Sequence, residues 1–270
     1  MDEKKLIEIQ NRLIEDKPVI GLEVTTRCNK FCYMCPRKNF KRKNKNMSKE
    51  TFQHLLDWAP EPCDFFIAGY GEPLMNPDLA YFVNGLSKKG EVSVMTNGIL
   101  LTAERMKELF DNGLDRLQVS ILLKDGIEQV DKYVAMTIPE YVEKVEFNIL
   151  YEENMALPQD KVDEYNAMGF KARFKLIHNR GGELYAAKWT DEIKSCGSFF
   201  ILGDIDSDGN LKVCSQDING VHNFGNVATT TFEQYKDFKR KFLGNRGIIP
   251  QCEQCTDEYR LIHLHNYDEC

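Results

Sequence analysis

At 270 residues, with 42% hydrophobic and 29% charged residues, the chain suits one large α/β domain or a domain with a small appendage, and its composition excludes a disordered, collagen-like or coiled-coil protein. A net charge of -7 argues against nonspecific binding to nucleic acid or an anionic membrane. No run approaches the roughly 18 apolar residues of a membrane span, and the opening MDEKKLIEIQ is acidic where an export signal is basic and then apolar, so the expectation is a cytoplasmic protein.

Apolar runs near residues 19–25, 63–68, 91–96, 115–121, 144–150 and 170–177 read as strands, and the stretches near 49–58, 77–89, 102–112, 126–136 and 158–168 carry apolar residues at helical spacing. Strands separated by helices form a parallel sheet through right-handed crossovers, so the pattern predicts an incomplete barrel or a large doubly wound sheet. Past Arg180-Gly181-Gly182 the texture changes. FFILGDIDSDGNLKVCS reads as two strands joined by a turn at Asp206 to Asn210, followed by a helix near 230–243 and Cys252-x2-Cys255.

Nine cysteines without an export signal point to metal or redox chemistry rather than disulfides. Cys28, Cys32 and Cys35, in CNKFCYMC, follow the first strand, where a loop reaches the C-terminal edge of a parallel sheet that carries active sites. Three thiolates in one loop suit a cubane iron-sulfur cluster with one iron left open to an outside ligand; a structural zinc wants four closed ligands. Cys196, Cys214, Cys252 and Cys255 have the number and pairing of a closed tetrahedral site, for zinc or for a second cluster. Cys63, at the start of the second strand, reads as a small core residue, and no role is assigned to His263 or His265.

The triplet and the strand order resemble the radical S-adenosylmethionine (radical SAM) enzymes. In that family the open iron is chelated by the methionine part of S-adenosylmethionine, and the reduced cluster cleaves it to a 5′-deoxyadenosyl radical. The resemblance implies a partial (β/α)6, TIM-like barrel. Gly69-Tyr70-Gly71-Glu72-Pro73 stands where the family has its GGEP-like loop, with Tyr70 in place of the first glycine. It implies cofactor contacts from Gly71, Glu72 and Pro73, from Asn97 after strand three, from Ser120 in strand four, and from Met34, which stands where the family often has an aromatic residue.

The C-terminal cysteine spacing resembles the Twitch form of the SPASM domain, a small α+β unit of hairpin and helix that holds a second 4Fe-4S cluster. This implies a barrel over residues 1–189 and a Twitch domain with tail over 190–270. Cys252-x2-Cys255-x14-Cys270 also resembles the second cluster of the family's GTP cyclases, which lack the hairpin pair. Size and cysteine layout resemble the family's aminocyclitol dehydrogenases, so the expected activity is oxidation of a small polar metabolite such as an amino sugar or cyclitol. Epimerisation, with a thiol such as Cys270 returning a hydrogen atom, peptide modification, and a noncatalytic zinc-binding adaptor are the alternatives. Arg180 and His178, after strand six, are candidates for holding or deprotonating the substrate. The acid-free basic run from Lys30 to Lys45, through Arg37, Lys38, Lys41, Arg42 and Lys43, reads either as a solvated loop or as a docking face for an acidic flavodoxin or ferredoxin-type reductant.

Overall fold

The computed structural model describes residues 3–185, 195–244 and 248–257. Strands β1 (Val19–Leu22), β2 (Asp64–Ile67), β3 (Val92–Thr96), β4 (Arg116–Leu122), β5 (Val145–Tyr151) and β6 (Lys171–Leu176) pair in parallel, each with its successor. Helices α2 (Lys49–Trp58), α3 (Leu79–Leu86), α4 (Ala103–Asp111), α5 (Gln129–Met136) and α6 (Gln159–Ala167) make the crossovers, so all six predicted strands and all five helices are present. Local chemistry sets their starts: Ser48 Oγ accepts from Thr51 N at the head of α2, and Thr102 Oγ1 from Arg105 N at the head of α4.

Alternation along the strands directs Ile20 and Leu22, Phe65 and Ile67, Leu117, Val119 and Ile121, and Val145, Phe147 and Ile149 into one core beneath the helices. Cys63 is fully buried in that core, as expected. No helix among the described residues is long and apolar enough to cross a membrane.

The C-terminal part continues the same sheet. Strand β7 (Leu202–Ile205) pairs in parallel with β1, and β8 (Asn210–Lys212) and β9 (Asn223–Asn226) follow antiparallel, giving the order β6-β5-β4-β3-β2-β1-β7-β8-β9. The expected boundary near residue 190 lies outside the described residues. Helix α8 (Phe232–Arg240), begun by a capping box between Thr231 and Gln234, lays Tyr235 on β7, where the phenol donates to Leu202 O at 2.8 Å.

One expectation fails here. Phe199 to Ile201 do not extend the hairpin strand but close a short helix, α7 (Gly197–Ile201). A strand would point Phe199 and Phe200 to opposite faces. Both are instead buried in a second core against Leu6, Ile9, Leu13 and Ile14 of the N-terminal helix α1 (Glu3–Glu15). Gln10 of α1 joins the two chain ends, donating to Ser195 Oγ at 3.0 Å and accepting from Gly244 N at 2.8 Å.

Candidate active site

The loop after β1 leaves the sheet and returns to it. Thr25 Oγ1 donates to Asn46 Oδ1 at 2.8 Å, Thr26 Oγ1 to Lys43 O at 2.7 Å, and Met47 N to Val24 O at 2.9 Å. These bonds hold the base of the loop without the cysteines. Cys28, Cys32 and Cys35 are free, half-buried thiols on it, with Cys35 N donating to Cys32 O. Burial pushes the Cys32 and Cys35 thiols up. Beside Cys28, the Asn97 Nδ2 donor stands 4.0 Å from its sulfur and 2.9 Å from Asn29 Oδ1, and Asn29 Nδ2 is buried with no partner among the described residues. Half-buried thiols with an orphaned donor beside them fit a group bound by three thiolates that presents further acceptor atoms. Met34 is buried, while Tyr33 is exposed with the Lys124 ammonium 4.8 Å from its ring centre.

The glycine-rich loop after β2 crosses the exit of β1 at backbone contact. A Cβ on Gly71 would stand 1.9 Å from Thr25 O, and Glu72 N donates to Arg27 O at 2.7 Å. We therefore expect Gly71→Ala to destabilise the chain by about 3 kcal/mol, because main chain must move to admit the methyl group. A denaturation midpoint equal to the native one would refute that close approach. Arg37 fastens the cysteine loop to the same crossing, with Nη1 donating to Thr26 O at 2.6 Å and Tyr70 O at 2.8 Å.

Glu72 lies between the glycine-rich loop and the end of β3. Its carboxylate is buried and already accepts from Thr96 Oγ1 at 2.6 Å, Asn97 N at 2.8 Å and Leu74 N at 3.1 Å. These bonds fix the shape of the loop. Pro73 is buried at the start of a 3-10 turn. Ser120 is half-buried on β4, in register with Asn148 of β5, whose amide joins Gln118 and Arg173.

The four C-terminal cysteines come together from three segments. Cys196 precedes α7, Cys214 follows β8, and Cys252 and Cys255 flank the end of the 3-10 turn Pro250–Gln254. Cys196, Cys214 and Cys252 pack around the second core. Burial first, then the neighbouring Cys252 and Cys255, pushes the Cys196 thiol up to about 12. Burial and then Asp204 push Cys214 well up. Backbone donors face the sulfurs: Gln216 N lies 3.4 Å from Cys214 Sγ and Asp257 N 3.4 Å from Cys255 Sγ. Such donors stabilise thiolates, and a metal bound here would displace thiol protons. Among the described residues no three His, Cys, Asp or Glu side chains converge on a single ion as they stand. Cys270, His263 and His265 lie outside the described residues.

Between the two thiol groups runs the segment after β6. Asn179, which sequence reasoning passed over, is fully buried and locks this segment to the C-terminal cysteine turn. Its N and Oδ1 bond Thr256 Oγ1 and N at 2.9 and 3.1 Å, and its Nδ2 donates to Gln254 O at 2.6 Å. Arg180 takes a left-handed φ of 54° and keeps a buried Nε with no partner among the described residues. Its charge acts on Cys35 and on Tyr70, while the Tyr70 phenol also feels Cys214.

His178 is pushed down to about 4, by burial and then by Arg180, and is neutral near pH 7. Its Nδ1 accepts from Arg180 N at 3.2 Å, and Nε2 faces the Asp257 carboxylate at 3.7 Å. The Nδ1 bond helps to shape the turn that carries Arg180. An open polar cleft lies alongside, lined by Asn39, Gly181, Gly182, Glu183, Gln251 and Gln254.

The basic run is only partly a free surface. Arg42 pairs internally with Glu23 and Asp206, Lys45 with Asp208, and Lys30 with Asp125, while Lys38, Lys41 and Lys43 are exposed. Glu23 is the other participant that sequence reasoning missed; an acid inside the apolar run VIGLEVT was the available signal.

The family model of the radical SAM superfamily matches residues 22–122, the stretch from β1 to β4 with both loops described above. The chain is 30% identical over 138 residues to the tungsten-containing aldehyde ferredoxin oxidoreductase cofactor-modifying protein of Pyrococcus furiosus, covering 50% of this chain and 39% of that one. The matched stretches span less than half the length of the first curated relatives. Over 257 residues it is 23% identical to the S-adenosyl-L-methionine-dependent 2-deoxy-scyllo-inosamine dehydrogenase of Niallia circulans, covering 88% of this chain and 92% of that protein. The fold is similar to the crystal structure of BtrN in complex with AdoMet and 2-DOIA, with a TM-score of 0.59, 22% identity, and coverage of 90% and 94% of the two chains. The cysteine loop and the glycine-rich loop both lie inside the matched residues, so residues 22–122 carry the features of a radical SAM domain.

Proposed function

We propose that this chain is a radical SAM oxidoreductase that dehydrogenates a small polar metabolite, such as an amino sugar or cyclitol. Cys28, Cys32 and Cys35 would hold a 4Fe-4S cluster, and Cys196, Cys214, Cys252 and Cys255 a second one. The observation that carries the reading is that Cys196, Cys214 and Cys252, from three chain segments, pack around one core, with Tyr70 close to both Cys214 and Cys35. S-adenosylmethionine on a reduced cluster supplies hydrogen-atom abstraction from an unactivated C-H bond, and a fully ligated cluster nearby offers a one-electron acceptor.

The chain's own residues supply position and enclosure. Gly71 lets the loop close on the chain after β1, Asn97 and Ser120 would edge the cofactor, and buried Met34 would pack against it. Arg180, at the turn after β6, would hold a substrate oxygen by hydrogen bonds from its guanidinium. The activity for which the Niallia relative is named, matched over most of both chains, supports the aminocyclitol choice. Exposed Lys38, Lys41 and Lys43 fit an acidic flavodoxin or ferredoxin-type donor, and the reducing cytoplasm suits oxygen-sensitive clusters.

Iron and acid-labile sulfide analysis of anaerobically purified protein tests the reading. Two 4Fe-4S clusters give about eight of each per chain. Zinc without sulfide would replace the enzyme by the zinc-binding adaptor, and iron and sulfide at half that level would remove the second cluster.

A further inference from the structure

Arg42 sits in the cysteine loop, yet its side chain is only 12% exposed and reaches two other loops. Nη1 donates to Glu23 Oε2 at 2.5 Å, while Nη2 lies 3.3 Å from Ser207 Oγ and 3.5 Å from Asp206 Oδ2. Both acids are buried, their side chains 4% and 5% exposed. Each is also engaged beyond Arg42. Glu23 Oε1 accepts from Tyr70 N at 3.0 Å, in the glycine-rich loop, and a Cβ on Gly69 would strike the Glu23 side chain. Asp206 accepts from Asp208 N and from both nitrogens of Asn210, so it shapes the hairpin turn between β7 and β8.

We propose that Arg42 is a positioning residue that makes the glycine-rich loop depend on the C-terminal hairpin, through the link Asp206, Arg42, Glu23, Tyr70 N. A planar guanidinium with two donor arms can satisfy both acids at once, whereas an ammonium holds them less directionally. The link continues on the far side of the loop, where Glu72 binds Thr96 and Asn97, and Asn97 reaches back to Asn29 and Cys28. The hairpin that bears Cys214 thereby sets the shape of the space beside the first three cysteines. The neighbouring Lys45 to Asp208 pair joins the same two segments but touches neither Glu23 nor the glycine-rich loop, which makes it the natural control.

The test uses the full-length chain and the variants Arg42→Lys, Arg42→Met, Asp206→Asn and Lys45→Met. Hydrogen exchange at the amides of residues 69–72, measured without added cofactor, reads the link directly. Arg42→Met and Asp206→Asn should each speed that exchange about tenfold, the double variant should be no faster than Arg42→Met alone, and Lys45→Met should leave it unchanged. Arg42→Lys should fall between native and Arg42→Met. If Arg42→Met fails to fold, Asp206→Asn and Arg42→Lys carry the test. The affinity for S-adenosylmethionine, which rests on the function proposed above, should fall in the same order. Loss of cofactor binding by the native chain would sink that function while the exchange result stood. Native exchange rates in Asp206→Asn, additive effects in the double variant, or an equal effect from Lys45→Met would overturn the link.

Discussion

Replacing Cys28, Cys32 and Cys35 together by alanine is expected to abolish the proposed reductive cleavage of S-adenosylmethionine and to leave the fold intact. The loop that bears them is closed by Thr25, Thr26 and Met47, and none of the three thiols belongs to either core, so their loss removes ligands without opening a cavity. Anaerobic incubation with dithionite followed by assay for 5′-deoxyadenosine measures the activity, and the thermal midpoint measures the fold. Continued 5′-deoxyadenosine production by the triple variant would refute the assignment of these thiols. A collapsed thermal midpoint would refute the statement that the loop stands without them.

Replacing Cys214 separates the two thiol groups. The variant should form 5′-deoxyadenosine at a rate close to native, lose about half its iron and sulfide, and yield no oxidised product. The probe is 2-deoxy-scyllo-inosamine, named for the Niallia relative, or any polyol that the native chain oxidises. Cys214 lies on the hairpin, apart from the cysteine loop, but the Arg42 link ends on that same hairpin. The Cys214→Ala variant should therefore be checked for amide exchange at residues 69–72 before a loss of product is ascribed to the second group. Turnover of the native chain in heavy water decides between dehydrogenation and epimerisation. Oxidation adds no solvent hydrogen to carbon, so deuterium at the reacting carbon, lost on replacing Cys270, would overturn the dehydrogenase reading.

The strand order and the cysteine loop were legible because their signals are local. Period-2 and period-3.6 patterns fall within single elements, and the triplet spans eight residues. Legibility ended where meaning depends on a distant partner. Asn179 looks like any loop asparagine until Thr256 and Gln254 close around it, and Arg42 looks like one more cation in a basic run until Glu23 and Asp206 face it. The short helix at Gly197–Ile201 was hidden for a related reason: its two phenylalanines are held on one side by α1, nearly 190 residues earlier in the chain. The motif position of Glu72 was readable, but the bonds of its carboxylate to Thr96 and Asn97 were not.

The parallel pairing of β7 with β1 also bears on solubility. An open run of six parallel strands has two bare margins, each a row of unpaired peptide groups able to recruit a strand from another molecule. Here β1 is sealed by β7, and the exposed margin is moved outward to β9, only four residues long. At the other margin, β6 alternates Lys171, Arg173 and Lys175, so that an incoming copy would meet its own repeated cations in register. The C-terminal hairpin thus guards the chain against edge-to-edge aggregation, and a shortened chain ending before Leu202 would leave the buried strand β1 as the margin in place of β9.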